Sequence, residues 1–124
     1  MTVIRSAEAP TFELPGVRFT GFASPSRGCA ELCTWHITVA PKLVSPASHS
    51  IDRDEVFMVT SGRVRITPEG PVVEAGDAVV VPAGAPIRLE NPADVPAQVF
   101  VAIRSGFTAT AEDGTPIGTP PWAQ

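Results

Sequence analysis

Short apolar runs separated by turn-forming residues are the feature of this chain that most restricts its fold. Val, Ile, Thr and Phe dominate these runs, which favours extended strands over helices. The candidate strands are Val17–Phe22, Ala30–Val39, Glu55–Thr60, Arg63–Thr67, Val72–Glu74, Ala78–Val81, Ile87–Glu90 and Gln98–Ile103. Turn signals such as Pro-Ala-Gly-Ala-Pro lie between them, and the chain holds 14 prolines and 10 glycines. Strands at this short, regular spacing predict an all-β sandwich or barrel.

Alternation along the runs predicts which side chains face the interior. Residues 33–39 alternate apolar and polar, so we expect Trp35 to point inward and His36 outward. If Glu55 points inward, Phe57 does so too. Residues 55–59, apart from Glu55, and residues 99–103 are apolar on both faces, which is typical of strands that are covered on each side. A second subunit would provide such a cover, so we expect a homodimer.

Length, charge and hydropathy exclude several classes of protein. A chain of 124 residues predicts a single domain, with an N-terminal arm at about residues 1–16 and an extended, proline-rich tail at about 107–124. The net charge is −4 and no Lys/Arg cluster occurs, so we expect no nucleic-acid partner. No run approaches the roughly 18 apolar residues of a membrane span, so we expect no membrane partner. The first residues lack the pattern of a secretory signal, so we expect a cytoplasmic protein.

Two spaced motifs run through the middle of the chain. The first is His49-Ser50-Ile51, three residues, Glu55, six residues and Gly62. The second is Gly76, five residues, Pro82-Ala83-Gly84, two residues, Ile87, three residues and Asn91. In spacing and order these motifs match the cupin signature, and from Cys33 to Ile103 the chain resembles a small single-domain cupin of the cupin 2 type. The resemblance implies a double-stranded β-helix, which is a jelly-roll barrel with a cavity at one end.

The resemblance also shows where this chain departs from the metal-binding pattern. In cupins with a full set, three histidines and one glutamate bind Fe, Mn, Ni, Cu or Zn, and two of those histidine positions are Ile51 and Ile87 here. Only His49 and Glu55 remain as metal ligands. Two protein ligands are fewer than the three that catalytic metal sites usually have. We therefore expect no resident cofactor, and at most a weakly bound divalent metal held by His49 and Glu55.

The same positions predict a small-molecule site. We expect an apolar cavity whose main polar groups are His49 and Glu55, and the expected ligand is a small apolar or aromatic molecule. The residues predicted to contact that ligand are Cys33, Trp35, Ile51, Phe57, Ile87, Val99 and Val101.

Three functions remain open at this point. The first is a metal-independent isomerase or cyclase, as some small cupins are, in which His49 and Glu55 form a catalytic acid–base pair. The second is a non-catalytic binding or sensor domain whose pocket holds a hydrophobic ligand. The third is a metal-dependent, dioxygenase-like cupin with a reduced ligand set. Fold alone does not separate these functions. Separately from the choice of function, the alternative to an acid–base pair is that His49 and Glu55 merely hydrogen-bond to each other.

Overall fold

The computed structural model describes residues 1–124 and contains eleven β-strands with two short 3₁₀ helices. The strands are β1 Thr11–Leu14, β2 Val17–Gly21, β3 Leu32–Val39, β4 His49–Ile51, β5 Glu55–Ser61, β6 Arg63–Val64, β7 Val73–Glu74, β8 Ala78–Val81, β9 Ala97–Arg104, β10 Ala109–Ala111 and β11 Pro116–Gly118. The 3₁₀ helices are η1, Pro25–Arg27, and η2, Pro121–Ala123. The predicted all-β class is confirmed. The chain forms no helix with the length and apolar character needed to cross a membrane.

A six-stranded antiparallel sheet in the order β1-β2-β3-β9-β5-β8 forms one layer. Its strands alternate as the sequence predicts. On β3 the side chains of Trp35 and Ile37 are buried while that of His36 is only partly buried, and on β5 Glu55, Phe57 and Val59 are buried together. The inward faces of these strands form most of one hydrophobic core.

The opposite layer is short and irregular. It contains a three-stranded sheet, β11-β10-β4, and a two-stranded sheet, β6-β7. Isolated antiparallel bridges link the remaining segments, pairing His49 with Ile87 and Glu90 with both Val44 and Arg65. The prediction of a strand over Ile87–Glu90 is therefore wrong, because this segment meets several different neighbours at single residues. The sheets do not join into a closed barrel, since β1 and β8 remain the edges of the large sheet, and the predicted barrel is corrected to an open jelly roll.

Gly62 and Gly76 occupy two tight turns of the motif region with positive φ angles of 78° and 95°. Glycine adopts such angles without the steric conflict that a Cβ introduces. At Gly62 a Cβ would also lie 2.7 Å from the carbonyl oxygen of Pro96, whereas at Gly76 it would meet nothing within 4 Å. Glycine is thus required at Gly62 by the positive φ angle and by the nearby Pro96 carbonyl. At Gly76 it is required by the φ angle alone.

Asn91, the last residue of the second motif, is buried and organises the loop before β9. Its Nδ2 donates to the carbonyl oxygens of Val39 at 3.1 Å and Val95 at 2.9 Å, and its Oδ1 accepts from the amide of Ala93 at 3.0 Å. A buried amide side chain needs such partners to offset its lost hydration. Asn91 is therefore a structural residue of the motif.

The C-terminal segment packs onto the large sheet as an ordered element. It supplies β10, β11 and η2, and both Phe107 and Ala123 are buried. The Trp122 ring stacks on Phe19 with a centroid separation of 3.7 Å and an interplanar angle of 13°. The guanidinium of Arg27 donates to the carbonyl oxygen of Trp122 at 2.6 Å. The stack on Phe19 holds the tail against β2, and the hydrogen bond from Arg27 holds it to η1.

Candidate functional site

An apolar cavity of about 170 Å³ lies between the two layers. Both layers and the C-terminal segment contribute to its wall. The lining residues are Leu14, Phe19, Trp35, Ile37, His49, Ile51, Glu55, Phe57, Ile87, Leu89, Phe107, Ala109, Ile117, Pro120 and Trp122. An apolar pocket with a few polar groups is the usual form of a small-molecule site.

The four motif positions that would hold a metal in a fully equipped cupin meet in this cavity. His49 and Ile51 are two residues apart on β4, and alternation puts their side chains on the same face. Ile87 pairs with His49 across an antiparallel bridge, and Glu55 begins β5. All four residues line the cavity. The resemblance to cupins implied this convergence, and the lining of the cavity agrees with it.

Glu55 is the most deeply buried ionisable group of the site. Its side chain is 2% exposed, and Oε2 has no hydrogen-bond partner. Burial disfavours the charged form of a carboxyl group, and here it raises the pKa of Glu55 to about 8. Glu55 is therefore mainly an uncharged acid at neutral pH, able to donate a proton.

Burial shifts the pKa of His49 in the opposite direction to that of Glu55. Burial lowers the pKa of its ring, so the imidazole is uncharged at neutral pH and able to accept a proton. No ring nitrogen of His49 lies within 4.0 Å of a Glu55 carboxyl oxygen. The alternative in which these two residues satisfy each other by hydrogen bonding is therefore wrong. A neutral acid and a neutral base face one cavity without pairing.

The donor set does not fit a tightly bound divalent metal. Ile51 and Ile87 bring hydrocarbon to the two other motif positions, and no group of three or more His, Cys, Asp or Glu side chains comes together in the structure. Metal coordination also requires an ionised carboxylate, whereas burial favours the protonated form of Glu55. Weak metal binding by His49 and Glu55 stays a prediction.

The structure places four of the predicted ligand contacts on the cavity wall and three elsewhere. Trp35, Ile51, Phe57 and Ile87 line the cavity. The lining residues do not include Cys33, Val99 and Val101, so the prediction that these three face the cavity is corrected. All three are buried in the hydrophobic core, so alternation gave the correct inward face although these positions lie off the cavity wall.

Cys33 packs against the C-terminal segment. It is fully buried, and its thiol donates to the carbonyl oxygen of Ala123 in η2 at 3.4 Å. Burial raises the pKa of this thiol. Cys33 therefore behaves as a small core residue beneath the tail.

Sequence reasoning missed the part of the wall that the tail provides. Phe107 and Trp122 both line the cavity, and each lies near Trp35, with ring centroids 5.9 Å and 6.5 Å from it. Two tryptophans are present in the whole chain, and one of them follows two prolines near the end. This isolated tryptophan was the sequence signal for a buried contact of the tail, although periodicity does not show which residues it contacts.

The fold and the site together define an open jelly roll around an apolar pocket. Residues 35–103 match the cupin domain family, and the chain belongs to this family. The predicted cupin jelly-roll fold is thereby confirmed. No curated protein matches the sequence.

Solved structures with the same fold include proteins of different activities. An RmlC-like cupin protein from Ralstonia eutropha is similar at a TM-score of 0.74 with 12% identity, over 97% of this chain and 78% of that one. The polyketide cyclase RemF from Streptomyces resistomycificus has a TM-score of 0.74 with 12% identity, over 98% of this chain and 88% of that one. A sugar phosphate isomerase of the cupin superfamily from Silicibacter pomeroyi has a TM-score of 0.66 with 24% identity, over 80% of this chain and 67% of that one. At these identities the similarity shows the fold alone.

Proposed function

We propose that this protein is a metal-independent isomerase or cyclase that moves protons on a small apolar molecule, with Glu55 as the acid and His49 as the base. The observation that carries the proposal is the unpaired Glu55 carboxyl in the cavity, buried and without a partner for Oε2. An acid and a base with opposite pKa shifts are the usual equipment for proton transfer near neutral pH. The presence of an isomerase and a cyclase among proteins of this fold is consistent with this chemistry.

The proposed reaction is migration of a carbon–carbon double bond next to a carbonyl group. Glu55 donates its proton to the carbonyl oxygen while His49 removes a proton from the adjacent carbon, which gives a dienol. His49 then returns its proton to the far end of the diene, and the enol proton goes back to Glu55. No atom or electron is lost, so no oxidant or reductant is needed. The ring nitrogens of His49 and the carboxyl oxygens of Glu55 are more than 4.0 Å apart, and in this proposal the substrate lies between them.

Isomerisation of an unconjugated cyclohexenone to its conjugated form, followed by ultraviolet absorbance, tests this proposal. Glu55→Gln and His49→Gln should each lower the rate by about 10²–10⁴-fold, the usual contribution of one acid–base group. The matched control is His36→Gln, since His36 is the only other histidine and lies against Phe100, away from the cavity lining. The control should keep the wild-type rate.

The alternative of a non-catalytic binding or sensor domain uses the same cavity and gives a different result. A wild-type protein that binds the cyclohexenone but does not isomerise it, and a Glu55→Gln variant that binds equally well, would favour that alternative. Equal loss of activity in the His36→Gln control would also contradict the proposed roles, because that side chain does not line the cavity.

We also propose that two copies of the chain associate through the outer face of the six-stranded sheet. This face exposes large apolar side chains, with Val80 64%, Met58 39% and Phe100 38% exposed. Met58 and Phe100 are cross-strand neighbours on β5 and β9. Phe100→Glu should convert a dimer into a monomer in gel filtration at micromolar concentration. A wild-type mass that matches one chain would contradict the proposal.

A further inference from the structure

Two buried polar atoms on residues of the cavity wall have no hydrogen-bond partner in the protein. They are Oε2 of Glu55 and Nε1 of Trp122. An indole N–H is only a donor, and an uncharged carboxyl also carries an O–H donor. Buried polar groups are rarely left unpaired, because their lost hydration is not replaced. Two such atoms on residues that line one cavity point to a partner from outside the chain that offers acceptors.

The Trp122 indole is fixed in place at this wall. It stacks on Phe19 with centroids 3.7 Å apart, and its own carbonyl oxygen accepts from Arg27 at 2.6 Å. The next residue, Ala123, is buried, and its carbonyl oxygen accepts from the Cys33 thiol. A donor held by packing and by backbone hydrogen bonds loses little conformational entropy when a ligand binds.

The size of the cavity limits the ligand to about one ring. Its volume is about 170 Å³. An engineered apolar cavity of about 150 Å³ is known to bind benzene, so this cavity suits a six-membered ring with a few substituent atoms. A fused polycyclic molecule would exceed it. Flat aromatic side chains, among them Trp35, Phe57 and Phe107, form much of the wall.

The charge of the wall excludes a further class of ligand. No Lys or Arg side chain lines the cavity. A phosphate or carboxylate group bound there would be a buried anion without a cation to balance it, which is strongly unfavourable. The wall therefore selects an uncharged molecule, in contrast to the phosphorylated sugar named for one protein of the same fold.

We propose that the ligand is an uncharged, single-ring carbonyl compound, and that Trp122 is a specificity residue whose indole N–H binds an oxygen of that ligand. This inference rests on the proposed proton-transfer function, since the carbonyl group is the one that Glu55 would protonate. Trp122 positions the ring but exchanges no proton with it.

Calorimetric titration with three matched probes tests the inference. The probes are cyclohexenone, methylcyclohexene as the oxygen-free analogue, and cyclohexene carboxylate as the charged analogue. Wild-type protein should bind the ketone more tightly than the hydrocarbon by about tenfold, the value of one hydrogen bond to a buried donor, and should not bind the carboxylate measurably. Trp122→Phe keeps the aromatic stack and removes the N–H. It should lower the ketone affinity by about tenfold and leave the hydrocarbon affinity unchanged.

Several outcomes would overturn the inference. They are equal affinity of the wild type for ketone and hydrocarbon, tighter binding of the carboxylate, absence of binding by every probe, or an equal effect of Trp122→Phe on ketone and hydrocarbon. The wild-type comparison needs no variant, so it holds even if Trp122→Phe fails to fold. Ketone binding without isomerisation would contradict the proposed function alone, because the ligand class would still be supported.

Discussion

His49 and Ile87 face each other across an antiparallel bridge and exchange two backbone hydrogen bonds, of 3.1 Å and 2.7 Å. One strand-like segment therefore brings an imidazole to the cavity, and its partner brings hydrocarbon directly opposite. The backbone of both cupin motifs is in place while half of the donor set is absent. The site therefore has few polar side chains. His49 and Glu55 are uncharged at neutral pH and are not hydrogen-bonded to each other.

Restoring the two missing donors should create a metal site. The double substitution Ile51→His and Ile87→His adds imidazoles at the positions that converge with His49 and Glu55. Imidazole and carboxylate are good ligands for first-row divalent ions. We expect less than about a tenth of an equivalent of metal in wild-type protein and about one equivalent in the double variant, measured by elemental analysis without chelators.

The single variant Ile51→His serves as the control for this prediction. It supplies a third donor only and should bind metal more weakly than the double variant. A wild-type protein that retains a full equivalent of metal through dialysis would contradict the interpretation of the donor set.

Stability should fall as the pH rises through the neutral range. Glu55 has a pKa near 4.5 when unfolded and about 8 when folded, so the folded state holds one more proton between these values. Its contribution is largest below pH 4.5 and is lost as the pH rises to about 8. Between pH 6.5 and 8.5 the wild type should lose about 2 kcal/mol of unfolding free energy from this group.

Glu55→Gln should remove that pH dependence while filling the same volume. Above pH 6.5 the two histidines add little to the pH dependence of stability, because burial lowers the pKa of each ring in the folded protein. The Cys33 thiol, whose pKa is raised from 9.0, acts above the pH range of this prediction. Denaturant titrations at several pH values supply the measurement, and parallel curves for the two proteins would show that Glu55 ionises normally.

Gly62 and Gly76 provide a matched pair for the role of crowding in the motif turns. Both have positive φ, so alanine at either position should cost about 1–2 kcal/mol from the backbone angle. Gly62→Ala also drives a Cβ against the carbonyl of Pro96, and we expect about 1–3 kcal/mol more from this clash. Equal losses in urea titrations of the two variants would argue against the crowding.

Asn91→Ala should destabilise the protein without changing the cavity. The substitution removes three hydrogen bonds around one buried side chain, and we expect a loss of about 3 kcal/mol. Asn91 is not a lining residue, so the affinity of the folded variant for cyclohexenone should equal that of the wild type. A lower affinity at full folding would show that this residue also shapes the site.

Local patterning predicted the central strands and the motif positions well, because those features depend on neighbouring residues. Ala78–Val81 has the predicted bounds, and Leu32–Val39 and Glu55–Ser61 differ from prediction by one or two residues at an end. The resemblance to cupins gave the inward position of Glu55, and period-two alternation then put Phe57 and Val59 on the same face. The resemblance of the two motifs to the cupin signature implied that His49 and Ile87 share a cavity, and both line it.

The features that the sequence did not predict depend on contacts between distant segments. Strand β4 has three residues and exists through pairing with β10, sixty residues later. Trp122 reaches the cavity through its stack on Phe19, about a hundred residues earlier. No local period encodes such pairings, so the part of the cavity wall that the tail provides was missed. Val99 and Val101 were assigned to the cavity, whereas they are buried in the core and do not line it.

The proposed acid role requires that the Glu55 carboxyl is protonated at neutral pH, and its titration can be followed directly. Carbon-13 NMR of protein labelled at the glutamate carboxyl carbons, with the Glu55 signal identified by its absence from Glu55→Gln, follows this one group across the pH range. We expect a titration midpoint at about pH 8, with an uncharged carboxyl at pH 7. A midpoint near 4.5 would mean that Glu55 is ionised at neutral pH, and it would contradict the proposed acid role.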